Sequence, residues 1–340
     1  MNKNENGAKK RSWLKTLISL IVLTIIGAII NDLYDNILRK EAKSFYDEIV
    51  VKCSSICFDT EPVRCTESEN EIDVQIGTDI NNLLALNNIG PTAFPANGSL
   101  DNINAIHDRP DIQLGIAQSD ALSYMRDYLG EAQKMKQIKM VFPLYNKEVH
   151  ILAKKEISSF YDLTGKSVAI GQEKSDSYLT ATQLFKLAKI EPKYVKKGGT
   201  EAINELLNGQ IDAIFHVAGY PVKCFKDIAQ NSDLHLLPIT PKKEFTYLYP
   251  STTIPASTYG DWQKEYVQTI AVKAVLITYD YNERNDICNN VGKLANKIYN
   301  NLDWLKQNGH EKWKTVNFHD FKFNNLRNWE RSVCVEKQIE

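Results

Sequence analysis

The longest run of apolar positions lies near the amino end. TLISLIVLTIIGAII, Thr16–Ile30, passes fifteen residues without a charge, and Asn31 and Asp32 end it. Trp13, Leu14 and a snorkelling Lys15 extend the run to the lower end of the length that crosses a hydrocarbon core. Lys3, Lys9, Lys10, Arg11 and Lys15 stand against Glu5 alone in the amino-terminal segment. That flank predicts a cytoplasmic amino end with the bulk of the chain exported. A cleaved signal peptide is the competing reading, since GAI supplies small residues late in the run. No A-x-A pattern appears, which favours an uncleaved anchor over residues 13–31 behind a basic tail at 1–12. A buried soluble helix fits poorly with a segment apolar on every side.

Beyond the anchor, residues 32–71 carry Leu33, Ile37, Leu38, Phe45 and Ile49 at helical spacing, then a polar stretch with Cys53, Cys57 and Cys65. This segment reads as a stalk and cysteine-containing linker. From Ile72 the pattern alternates short apolar runs with amphipathic ones, which predicts a mostly parallel sheet with helices on both faces. IDVQIGT reads as a strand and INNLLALNNI as a short helix-like segment; PTAFPANGS is extended, and SLDNINAIH is a helix capped by Ser99. Strand Ile112–Ala117 precedes a turn and a helix. VFPLYNKEVHILAKK is a long extended stretch, and KSVAIGQEKSDSYLTATQLFKLAKI is strand, turn and helix. GTEAINELLNGQ is helical, IDAIFHV and TIAVKAVLIT are strands, and a long helix runs from ICNNVGKLANKIYNNLDWL.

Charge and composition narrow the function classes. The 340 residues carry 41 Lys and Arg against 42 Asp and Glu, a formal net charge of -1. Such a balance gives no electrostatic case for nucleic acid. The histidines, at 107, 150, 216, 235, 310 and 319, never adopt H-x3-H or H-E-x-x-H spacing, and there is no P-loop or G-x-S-x-G elbow. The spacing C-x3-C-x7-C at Cys53, Cys57 and Cys65 is not a familiar zinc pattern. In an exported domain it points to a local disulfide, with one thiol able to reach Cys334; Cys224 and Cys288 read as buried free thiols. No enzyme, metal or cofactor is expected.

The order of phrases carries a resemblance. DIQLGIAQSDA, LYNKEVHILAKK, DLTGKSVAIG, EAINELLNGQIDAIFHVAGYP, LHLLPI and YPSTTIPASTY follow one another as in TAXI-type solute-binding proteins of TRAP transporters. The resemblance covers roughly Ile72 to Phe318. It implies an α/β, two-lobed periplasmic-binding-protein-like (type II) fold that clamps a small solute, such as a simple acid like glutamate, and passes it to TRAP transporter membrane subunits. It implies capture, not catalysis.

Two crossings between lobes are then expected, near His150–Lys154 and near Thr253–Ser257. Lobe I takes residues 72–152 and 253–318, lobe II residues 153–252, and 319–340 form a carboxy-terminal tail. A cleft between such lobes presents helix N-termini from both sides, which suits a carboxylate. The turn at Asn97 and Ser99, the turn at Gln118 and Ser119, and the loop of Lys174, Ser175 and Ser177 are the candidate ligand-binding groups, joined by Tyr220 and by Thr78. Plain helix capping is the competing reading for Ser99, Ser119, Asp120 and Ser175. The chain also departs from the family. Its GQEKSDS loop replaces a glycine-rich GSGT-like turn and brings in Glu173 and Asp176, which repel a carboxylate. The tyrosine of the family's opening turn is absent near Thr78. Either the solute differs from the family's simple acids or binding has been lost.

Overall fold

The computed structural model describes residues 71–86, 97–109, 111–226, 233–281, 286–320, 326 and 329–339, all within one compact unit. The basic tail, the anchor at 13–31, the stalk and its three cysteines, and most of PTAFPANGS lie outside the described residues. No helix among the described residues is long and apolar enough to cross a membrane.

Two long strands organise the chain. β2 runs over Ile138–Lys154 and β8 over Val267–Tyr279. They pair antiparallel, from Ile138 opposite Tyr279 to Glu148 opposite Ala271, with register shifts between Met140 and Phe142 and between Pro143 and Asn146. β1 (Gly115–Gln118) adds to one end of β8. At the other end β5 (Ala213–Ala218) adds to β2, followed by β3 (Ser167–Ala169) and β4 (Lys193–Val195). β6 (Leu234–Leu236) pairs with β2, and β7 (Ser251–Ile254) pairs with β8. Among the described strands only β3 forms parallel ladders, with β4 and β5, apart from a single parallel bridge between Met140 and Arg331. The expectation of a mostly parallel sheet is therefore corrected. A chain that leaves on one long strand and returns on its neighbour must pair antiparallel, and no crossover helix is needed between them.

Four apolar clusters sit on the two faces at the two ends of this sheet. At the β1 end, one face packs α1 (Glu71–Leu86) and α5 (Asp286–Asn300) against Phe142, Leu144 and Leu276. The opposite face packs α2 (Ser99–Asp108) against Ile138, Met140 and Val275. At the β3 end, α3 (Asp176–Ala188) covers Val149, Ile151 and Phe215, and α4 (Gly199–Leu207) covers Leu152 and Ile214. Along β2 the cores change between Tyr145 and Val149; along β8 they change between Val272 and Ala274. β7 lies alongside the first residues of β8, before that change.

IDVQIGT is not a strand. It opens α1, because Ile72, Ile76, Ile80, Leu83 and Leu84 repeat at helical spacing and the last four are almost fully buried. The alternation of Ile72, Val74 and Ile76 imitates a strand over too short a window. The reading of Cys288 as a free thiol, with Cys334 reached from the amino-terminal cluster, is corrected as well. Cys288 on α5 is bonded to Cys334 on α7 (Val333–Ile339), the helix after α6 (Leu302–Asn308), whereas Cys224 is half-buried beside the α4-side cluster. Cys288 lies on the same inner face of α5 as Val291, Ala295 and Ile298, and α7 packs there. Residues beyond 319 thus include a core element, with Trp329 and Val335 buried.

The disulfide closes a loop spanning 46 residues. On loop-closure entropy it stabilises the chain by about 3–4 kcal/mol. Cys334→Ala, or reduction of the bond, is expected to lower the urea midpoint accordingly in equilibrium unfolding. An unchanged midpoint would show that α7 is held without it.

Candidate functional site

Both long strands carry charge where their cores change. β2 reads Asn146, Lys147, Glu148 between apolar stretches, and β8 reads Lys273 between Val272 and Ala274. The register sets Asn146 opposite Lys273. Lys273 Nζ donates to Asn146 Oδ1 at 3.0 Å and pairs with Asp320 at 3.2 Å, while burial pulls its pKa below the usual lysine value.

Lys147 is the centre of the cluster. Its side chain is 2% exposed, and its ammonium donates to Asp73 Oδ2 and Asp176 Oδ2, each at 2.8 Å. Burial alone pulls a lysine toward neutrality, yet Asp176 and Asp73 more than offset it and hold Lys147 above its ordinary pKa. Asp73 comes from the inward face of α1, three residues before Ile76, and its other oxygen accepts the Tyr145 hydroxyl. Asp176, the first residue of α3, is 1% exposed, and its Oδ1 accepts the backbone N–H of Ser99 at 2.8 Å. Elements from opposite ends of the sheet thus meet at one carboxylate.

The contact continues through neutral polar groups. The Gln118 N–H donates to Ser99 Oγ at 2.8 Å. Gln118 Nε2 donates to the Asp176 carbonyl and to Thr180 Oγ1, each at 3.2 Å. Asp120 accepts from Thr180 Oγ1 at 2.8 Å and from the Tyr249 hydroxyl at 3.1 Å. Gln183 Nε2 also donates to it, at 3.4 Å. Asp176, Leu179, Thr180 and Gln183 lie along one face of α3, and Leu179 enters the α2-side apolar cluster. Desolvation raises the Asp120 carboxyl to about 6; the Thr180 and Tyr249 hydrogen bonds act against the rise and the nearby Asp176 charge adds to it.

On the other side of Lys147, Glu148 Oε2 accepts from Lys312 Nζ at 2.9 Å and from the Tyr220 N–H at 3.2 Å. Lys312 also lies 3.9 Å above the Tyr220 ring. Desolvation still leaves Glu148 above the normal carboxylate range despite Lys312. Gly219 explains the AGYP turn: a Cβ there would lie 2.8 Å from Lys312 Cε and 2.7 Å from Ile72 Cδ1. His150 donates to or accepts from Tyr259 at 2.8 Å, opposite His216 across the β2–β5 pair. Desolvation lowers His150 to about 3 and His216 to about 4, so both are neutral near pH 7.

The structure brings together Ser99, Gln118, Ser119 and Ser177, all buried. The Ser177 hydroxyl accepts the Val217 N–H at 2.9 Å. The Ser119 hydroxyl accepts the Lys273 N–H at 3.1 Å, and its carbonyl accepts the Trp329 indole N–H at 2.9 Å. Ser175 caps α3 by accepting the Tyr178 N–H. Ser99 is not the cap of α2; Gly98 is, at φ 116, a conformation open to glycine. Tyr220 joins the Glu148–Lys312 pair rather than the Asp176 contact. Lys174 is exposed, at φ 71. Asn97 is exposed, with its N–H on Asp101. Thr78 is half-buried on α1, beside Asp79, which binds the His310 N–H and the Trp313 indole. Sequence reading missed Asp73, Lys147, Glu148, Lys273 and Lys312. The available signal was charge in the middle of long apolar strands.

Asp120 gives a pH test. Unfolded, an aspartate titrates near about 3.9; folded, Asp120 titrates at about 6. Its contribution to stability is full below the unfolded value and is lost as pH rises through the folded one, by roughly 3 kcal/mol in all. His150 and His216 act in the opposite sense, losing stability as pH falls below about 6.5, and cancel when two variants are compared. Urea unfolding of the wild type and Asp120→Asn should show the wild type losing roughly 3 kcal/mol relative to the variant between about pH 4 and pH 7. A constant difference across that range would sink the assignment.

Several solved structures are similar to this chain at low identity. The glutamate-bound ligand-binding core of GluR0 from Nostoc punctiforme is 16% identical, covering 72% of this chain and 88% of that one, with a TM-score of 0.41. A periplasmic transporter is 16% identical over 71% and 84%, with a TM-score of 0.44. The amino acid ABC transporter substrate-binding protein AbpA from Streptococcus pneumoniae, bound to L-arginine, is 16% identical over 77% and 90%, with a TM-score of 0.39. The sequence match is far more specific. Residues 71–324, from the first turn of α1 past β8 and α5, fit the profile of one family. The chain belongs to the NMT1-like family.

Proposed function

We propose that the chain is an extracytoplasmic solute-binding protein, held at the membrane by residues 13–31, that captures a small carboxylate- or amine-bearing solute between its lobes for a TRAP-type transporter. The observation that carries this reading is the meeting of the Ser99 and Gln118–Ser119 turns with the start of α3, at the point where β2 and β8 pass from one apolar core to the next. Groups placed there serve a hinged clamp, since both halves contribute and only extended strands need flex. The six phrases that resemble TAXI-type proteins support the transporter type. The Cys288–Cys334 disulfide supports an oxidising compartment.

A second reading has its own observation. Apart from Gln118 Oε1, which is buried without a hydrogen bond, Ser99, Gln118, Ser119 and Ser177 spend their polar atoms on one another, on α3 and on the strands. A solute-binding fold whose contact groups, one amide oxygen aside, are satisfied internally suits an extracytoplasmic sensor or scaffold.

A thermal-shift screen of residues 32–340 against amino acids, dicarboxylates and amines separates the two. Capture predicts that at least one compound class raises Tm by about 5 °C or more at saturating concentration. No shift from any class would support the scaffold reading.

A further inference from the structure

The seat at Ser99 has the parts that a bound anion requires. Ser99 is the first residue of α2, a ten-residue helix, and its N–H points out of the helix N-terminus. The Lys147 ammonium stands on the far side of the same carboxylate, 2.8 Å from its second oxygen. The occupant is not a solute but a side chain of this protein, from a residue 77 positions away.

Asp176 is also the first residue of its own helix, where an acid ordinarily complements its own N-terminal N–H groups. Ser175 already caps α3 through the Tyr178 N–H. The carboxylate turns instead to the N-terminus of α2, and both of its oxygens are engaged there, one on Ser99 and one on Lys147. The residue is 1% exposed, so a free anion has no room beside it.

We propose that Asp176 is a specificity-determining residue: its carboxylate is the resident occupant of the anion seat formed by the Ser99 N–H and Lys147, and it excludes free carboxylates from that position. A solute taken by the native protein therefore presents no carboxylate to Ser99. Simple acids are rejected, and amines or neutral polar solutes remain. This consequence for selectivity rests on the solute-capture reading; the seat itself rests only on the contact between α2, β2 and α3.

The test removes the tethered carboxylate and returns it free. Asp176→Gly deletes a methylene and a carboxylate, for which acetate is the matching free molecule. Lys147 keeps Asp73 as a partner in the variant, so the ammonium is not stripped bare. The variant is expected to melt about 10 °C below the wild type. Acetate at tens of millimolar is expected to restore about 3 °C or more, beyond the effect of chloride at equal ionic strength. The wild type should not respond, and its Ser99 amide should stay protected from hydrogen exchange with no resonance shift on acetate addition. If the glycine variant does not fold, Asp176→Ala with formate serves in the same way. A variant that responds to acetate no more than to chloride, or a wild type whose Ser99 amide shifts with acetate, overturns the proposal. Rescue by acetate is read without any natural solute, so failure of the compound screen leaves this result standing, and the reverse also holds.

Discussion

A buried ammonium sets the terms for the rest of the molecule. Lys147 is nearly inaccessible to water, and an unpaired charge in such a place costs several kcal/mol or neutralises. The chain meets this demand with Asp73 from α1 and Asp176 from α3. Each carboxylate is in turn fixed by a further donor, Tyr145 for Asp73 and Ser99 for Asp176. The two acids lie about a hundred residues apart in the chain, so one cation ties together α1, β2, α3 and the start of α2. Removing either acid leaves the other ion to be satisfied by what remains, which makes the cluster cooperative rather than a sum of pairs.

The position of that cluster follows from the sheet. A strand that runs through two apolar cores has a short stretch between them where neither core claims its side chains. In β2 that stretch is Asn146–Glu148, and in β8 it is Lys273. The other lysines of β2, Lys139 and Lys154, lie near its ends, where Asp280, Glu330 and Asp212 pair with them; Lys147, in the middle, meets Asp176 just after the turn that follows β3. The antiparallel register then stacks the two stretches side by side, Asn146 against Lys273. Sheet geometry and site chemistry are in this sense one constraint.

Much of the architecture was legible in the sequence, because it rests on periodicity. The long strand through LYNKEVHILAKK, the strand–turn–helix around GQEKSDS and the helix from ICNNVGK all appear where pattern places them. α1 was misread because three alternating β-branched residues mimic a strand, and only the next two turns reveal the helix. The Cys288–Cys334 bond was missed because pairing depends on which faces of α5 and α7 meet, and spacing carries no such information. Ser99, Gln118 and Ser119 were legible as residues at or beside helix starts, because such turns are visible in sequence. Asp176 was noticed as a charge that would repel a carboxylate. Its partners were not, since Lys147 and Ser99 are brought to it only by the tertiary fold.

The polar character of the contact has a consequence for motion. Apart from Leu179 and its neighbour Tyr178, α3 meets the Gln118–Asp120 turn through hydrogen bonds. A net hydrogen bond contributes only about 0.5–1.5 kcal/mol, because water replaces it when the surfaces part. An apolar contact of the same size has no such replacement and resists opening in proportion to its area. A joint built from serine, threonine, glutamine and aspartate can therefore exchange partners at modest cost, while of the four apolar clusters the α2-side one gives up Leu179 and Tyr178. The ion cluster at Lys147 is the exception, since its charges would have to be rehydrated or re-paired. Separation of the two halves is thus controlled less by how many groups touch than by what becomes of one ammonium and the two carboxylates around it.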